Sequence, residues 1–156
     1  ALDAPAALGG RGEGGGVRPA SAKAKGRVFQ NFVASEVRAT FCLPDEDCRP
    51  AVMGENGADL KLSSRAREVF PFAIEAKKVE ALNVWNAMKQ CEANAKKEGL
   101  TPALVFSRNR SPAYVCLRLE TFLELAQAAA LYDGALPEVE VGYAVAGGVP
   151  DEGAEA

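Results

Sequence analysis

The sequence predicts a small, layered, mixed α/β domain with about five strands. Apolar residues recur at helical spacing in three separate stretches. Short apolar runs bounded by turn residues lie between them. The resulting order is helix, two or three strands, helix, two strands, helix, which is the pattern of a layered α/β fold. At 156 residues the chain is long enough to bury one core.

The elements follow in order. "SAKAKGRVFQNFVASEVRATF" sets Phe29, Val33 and Val37 at helical spacing with Phe32 beside them, an amphipathic first helix. "LPDEDCRP" reads as a loop. "AVMGENGADLKLS" suggests two short extended pieces around a Gly-Glu-Asn-Gly turn. "SSRAREVF" is a brief helix with a serine N-cap. "PFAIEAK" is a strand. Asn83 caps a helix that runs to about Lys97 and closes at Gly99. On that helix Trp85, Met88, Cys91 and Ala95 form the expected core side. "PALVFSRN" and "AYVCLRL" are two strands joined through "RNRSP", and "ETFLELAQAAALY" is the last helix. Residues 1–21 are rich in Gly, Ala and Pro without periodicity, so they are expected to be disordered. The tail, residues 133–156, is similar in character, although "VEVGYAV" suits a short strand. The folded domain is thus expected over residues 22–132.

Composition narrows the chemistry. No apolar run approaches the roughly 20 residues that span a membrane. Residues 1–16 lack a basic start followed by an apolar stretch, so a cytoplasmic location is expected. The four cysteines form no CxxC pair and read as reduced thiols. There is no histidine, so acid–base chemistry falls to carboxylate, lysine or water on a metal. The net charge is −3, but it is unevenly spread. Residues 23–131 hold 16 lysines and arginines against 13 acids, while residues 132–156 hold six acids and no base. A mildly basic centre permits a phosphate-binding surface.

Within "FPFAIEAKKVE", Glu75 and Lys77 stand two residues apart, on one face of a strand. Asp59 lies in the apolar piece "GADLKLS" just before. If those strands are neighbours, the two carboxylates meet, and their repulsion calls for a cation. Asp59, Glu75, the Ala76 backbone carbonyl and waters make an oxygen-only shell suited to Mg2+, with Mn2+ as a substitute. Lys77 then stands beside a water on that metal or a phosphoryl group. Glu-X-Lys on a strand also fits an exposed, weak ion pair. On the following helix Asn83, Asn86, Gln90 and Asn94 share one side, a row that can donate to phosphate oxygens or simply face water. Lys25, Arg27, Lys61, Lys78, Arg108 and Arg110 are further candidates for phosphate contact, although isolated surface bases of this kind equally suit simple solubilisation.

The blocks "KGRVFQNFV", "MGENGADLKLS", "FPFAIEAKKVEALNVWNAMKQCEANA" and "PALVFSRNRSPAYVCLRLETFLEL" together resemble the PD-(D/E)xK nuclease superfamily. The likeness covers residues 23 to 126 and is nearest to Holliday-junction resolvase-like and phage-type endonucleases. It implies a restriction-endonuclease-like core, a central mixed sheet of about five strands flanked by helices. It implies Asp59 and Glu75 as metal ligands, Lys77 as the catalytic lysine and Gln90 as the polar residue of the helix after the strand. It implies a Mg2+-dependent endonuclease acting on DNA, with branched or junction DNA preferred, as a homodimer. A restriction or nicking enzyme of the same superfamily is the near alternative. A catalytically silent DNA-binding or packaging-associated module is the distant one. The sequence departs from the resolvase pattern at Gln30, where such proteins often carry a glutamate. An amide there holds a metal only through a water, and Glu36 is the substitute candidate.

Overall fold

A computed structural model describes residues 19–134 of the chain. Of the segment 1–21 expected to be disordered, residues 1–18 lie outside the described residues, as does the strand expected in "VEVGYAV", whereas residues 19–21 are corrected to helix. The described residues fall into two compact units, 19–117 and 118–134. The first carries α1 (Pro19–Phe41), β1 (Cys48–Pro50), β2 (Leu60–Leu62), α2 (Ser64–Val69), β3 (Phe72–Lys78), α3 (Val84–Glu98), β4 (Thr101–Ser107) and β5 (Tyr114–Cys116). The second carries α4 (Leu119–Tyr132). None of the described helices is long and apolar enough to cross a membrane.

The expected single five-strand sheet is corrected. Among the described residues five strands form, but as an antiparallel β1–β2 ribbon and a separate sheet of order β3-β4-β5. β3 and β4 run parallel, and β5 returns antiparallel on β4. Asp59 explains the break. Its N–H donates to the Ile74 carbonyl at 2.8 Å, as a ladder residue would. Its own carbonyl already accepts from the Ala51 N–H at 2.7 Å. The next donor on β3, the Ala76 N–H, goes to the Asp59 side chain at 2.8 Å. A side-chain oxygen has taken the place of a backbone rung, so the ladder ends after one residue.

β3 has a helix on each face, and its side chains alternate between them. Ile74 and Ala76 pack with Phe29, Val33, Ala34 and Val37 of α1. Ala73 packs with Ala95 of α3 and with Ala58. Leu104 of β4 is fully buried, and truncating it to Ala is expected to cost about 3 kcal/mol. Arg38 ties α1 to the ribbon through the Cys48 carbonyl at 2.7 Å.

α3 starts and stops as its sequence predicts. The Asn83 side chain accepts from the Asn86 N–H at 3.0 Å, and Gly99 closes the helix at φ 65°. Of its expected core side, Cys91 and Ala95 are buried and Met88 is half-buried, but Trp85 is corrected. Ala87, Cys91 and Ala95 are buried, while Trp85 is 86% exposed. The buried row has a spacing of four and small side chains, and the Cys91 sulfur lies 3.6 Å from the Ala73 carbonyl, a fit with no room for an indole. The first strand of the ribbon is also displaced from its expected place. It forms from Cys-Arg-Pro inside the segment read as a loop, because Arg49 and Glu55 join in a two-pronged ion pair that folds the following turn back.

Candidate active site

β3 brings the first two residues of the site to its α3 face. Glu75 is 2% exposed, and its Oε1 lies 2.6 Å from Lys77 Nζ. α3 supplies the next two. Gln90 Oε1 accepts from Lys77 Nζ at 3.3 Å, and Asn94 Nδ2 donates to Glu75 Oε2 at 3.3 Å. Gln90 and Asn94 are one helical turn apart, and Glu75 and Lys77 are one strand repeat apart, so the pairs match across the interface. The exposed-ion-pair alternative is thus set aside for Glu75, whose carboxylate is buried.

Asp59 closes the group from the ribbon side. Its bond to the Ala76 N–H fixes its carboxylate against the strand that carries Glu75. Ala76 presents its backbone to the Asp59 edge, and its carbonyl shares that edge. Burial pushes the Glu75 carboxyl above its ordinary range. The Lys77 bond opposes this, the Asp59 charge adds to it, and Asn94 lowers it again. The same field reaches Cys91, whose thiol is pushed up to about 11, first by burial and then by the Glu75 charge. Two carboxylates therefore share a site with one lysine, the imbalance that a second cation relieves.

The amide row divides. Gln90 and Asn94 reach the site, Asn83 caps its own helix, and Asn86 stays exposed. The basic candidates divide as well. Arg27 donates to the Ala51 carbonyl. Lys61 Nζ donates to the Asn56 carbonyl at 2.6 Å and lies 3.4 Å from Glu98. Lys78 Nζ lies 5.6 Å from the centre of the Phe29 ring and 3.5 Å from Ser107 Oγ. Lys25, Arg108 and Arg110 are exposed and make no ion pair among the described residues. Arg110 is held at φ 55°, a conformation uncommon outside glycine, in the turn before β5. Gln30 is half-buried on α1, and Glu36 is exposed.

Glu98 is a residue that motif reading passes over. Its Oε1 accepts from the Ala58 N–H at 2.9 Å and from Lys61, and its Oε2 lies 3.6 Å from Arg67. It holds the segment just before Asp59. Gly57 is required there, since a Cβ at its φ of 99° would run into the Glu98 carboxylate. The row 86, 90, 94 extended by one more turn reaches 98, and that was the available signal.

Among the described residues no group of three or more His, Cys, Asp or Glu gathers as a metal cage. Two carboxylates and a backbone carbonyl still fit a cation that keeps most of its waters. No curated protein and no solved structure matches the chain. One family model does. It covers residues 22–142, which contain Asp59, Glu75, Lys77, Gln90 and Asn94, and on that match the chain belongs to the phage putative PDDEXK endonuclease family.

Proposed function

We propose that the chain is a Mg2+-dependent endonuclease that hydrolyses phosphodiester bonds in DNA, with branched DNA as its substrate. The support is the setting of Lys77, an ammonium held between a buried carboxylate and an amide, next to a second carboxylate. Asp59, Glu75 and the Ala76 carbonyl would hold the cation, which when bound supplies Lewis acidity and neutralises charge on a phosphoryl group. Lys77 holds its proton at Nζ and places that charge beside the phosphate, where negative charge grows in the transition state. Gln90 fixes the direction of Lys77, and Asn94 fixes that of Glu75. A branched duplex offers two equivalent strands, so two copies related by a twofold axis are the matching assembly.

Incubation of plasmid and four-way-junction DNA with Mg2+, Mn2+ or EDTA tests this reading. Cleavage is expected with either metal and not with EDTA, and the junction is expected to be cut faster. Asp59→Asn and Glu75→Gln are expected to abolish it. Asn is the right substitute at Asp59 because it keeps an oxygen for the Ala76 N–H. Cleavage that survives EDTA, or survives Asp59→Asn, would end the metal-dependent reading. A silent DNA-binding module would instead bind the junction and never cut it. Light scattering on junction DNA is expected to show two chains, and a single chain would remove the twofold assembly.

A further inference from the structure

On the other face of β3 from Glu75 and Lys77 lies a groove of about 570 Å³. Val28, Phe29 and Phe32 of α1 form one wall, and Pro112 in the turn before β5 forms part of the other. Two lysines, Lys25 and Lys78, reach it, and no carboxylate lines it among the described residues. Its volume is that of a small-ligand site, large enough for one nucleotide.

Lys78 is the informative residue. It is half-buried, and its neighbours among the described residues are an aromatic ring and a hydroxyl, with no carboxylate among them. An ammonium partly withdrawn from water without an anion is an incomplete arrangement. Phe32 is 47% exposed beside it, an aromatic side chain without full cover. A ligand that satisfies both carries an anionic group and a flat apolar body. A nucleotide has that combination. Neutral apolar ligands leave the lysines alone, and a free phosphate leaves Phe32 alone.

The position adds a constraint. Lys77 and Lys78 are consecutive and point to opposite faces of β3. Their Cα atoms are about 3.8 Å apart. One DNA strand crossing the end of β3 therefore meets the catalytic group on one side and the groove on the other. A base in a duplex is stacked and cannot enter an apolar groove. An unpaired one can, and it gains stacking on an aromatic ring.

We propose that this groove receives an unpaired nucleotide of the substrate strand, its phosphate against Lys25 and Lys78 and its base against Phe32. The proposal deepens the nuclease reading and rests on it for the identity of the ligand. It specifies a substrate with locally unpaired DNA close to the cut.

Binding without cleavage is the test. The full chain in EDTA is titrated into labelled oligothymidylate, into the same backbone with abasic sites, and into blunt duplex. Oligothymidylate is expected to bind more tightly than its abasic counterpart. Phe32→Ala is expected to erase that preference, with about a tenfold loss for oligothymidylate and none for duplex. Phe32→Trp is expected to restore it, which separates stacking from loss of fold. Lys78→Ala is expected to weaken both single strands and to reduce the salt slope by about 0.7. Equal affinity for the base-bearing and abasic strands in the parent protein would overturn the proposal. So would a Phe32→Ala protein that keeps the preference. If the preference is present but no DNA is ever cut, the groove stands and the catalytic reading falls. If DNA is cut under Mg2+ with no such preference, the reverse holds.

Discussion

A buried glutamate, Glu75, and a half-buried one, Glu98, flank Asp59, and they behave as opposites. Glu98 holds a backbone N–H on one oxygen, with Lys61 beside it, and Arg67 on the other. The fold supplies it with two cations and leaves nothing to be added. Glu75 has one lysine and one amide, faces the Asp59 charge, and takes up a proton more readily than an ordinary carboxylate. The first is a structural tie. The second is a carboxylate that the fold compensates less fully, and the cation proposed above would relieve that deficit.

The largest difference between the two regions is expected in catalysis. Lys77→Ala removes the cation from the Glu75 region alone, and the rate of DNA cleavage is expected to fall a hundredfold or more while the fold persists. A Lys77→Ala protein that cuts as fast as its parent would reduce Glu75–Lys77 to a simple ion pair.

Stability is expected to separate the regions next. Glu98→Ala leaves the Ala58 N–H and two cations without their partner, and urea unfolding is expected to show a loss of about 2 kcal/mol or more. Glu75→Gln keeps the shape and removes a compressed charge, so its apo stability is expected to equal or exceed that of the parent. Equal losses in the two proteins would erase the contrast.

A pH series sharpens it further. The Glu75 carboxyl binds its proton more tightly folded than unfolded. Its destabilising effect is therefore full above the folded value and disappears as pH falls towards the ordinary carboxylate range. The advantage of Glu75→Gln over the parent is expected to grow as pH rises through that window. A constant offset from acid to neutral pH would mean that Glu75 titrates as it does in water.

The smallest effect is expected at the rim. Gln30→Glu adds a charged oxygen on α1, and the Mg2+ concentration needed for half-maximal cleavage is expected to fall severalfold, as an added charged ligand would require. A rise in that concentration would show that Gln30 lies outside the ligand set.

Much of this was legible in the chain. Asn83 and Gly99 announced the ends of α3, and Ser63 announced α2, because caps are local chemistry. The spacing of Glu75 and Lys77 placed both on one strand face, and Gln90 and Asn94 followed from the helical period. What escaped was tertiary. The periodicity of α3 gave Trp85, Met88, Cys91 and Ala95 as its core side, and only the close approach to Ala73 shows that Ala87, and not Trp85, is buried with Cys91 and Ala95. The division of the strands into two sheets depends on where one side-chain oxygen goes, which no alternation pattern records. Glu98 was hidden because its partners lie far away along the chain, at Ala58, Lys61 and Arg67.

Asp59 is also the residue at which ribbon and sheet are stitched together, through its N–H to Ile74 and its carboxylate to Ala76. Its two duties have different tolerances. An amide at that position would retain the stitch and forfeit the charge, whereas a methyl group would forfeit both. If the proposed activity holds, a descendant drifting out of service could discard Lys77 only by letting the buried Glu75 carboxylate take up a proton, and would keep an oxygen at position 59 long after cleavage had ceased. The residue lost last in such a lineage would be the one that holds the scaffold shut, so an intact residue 59 alone is a poor badge of a working enzyme, and residue 77 is the better one.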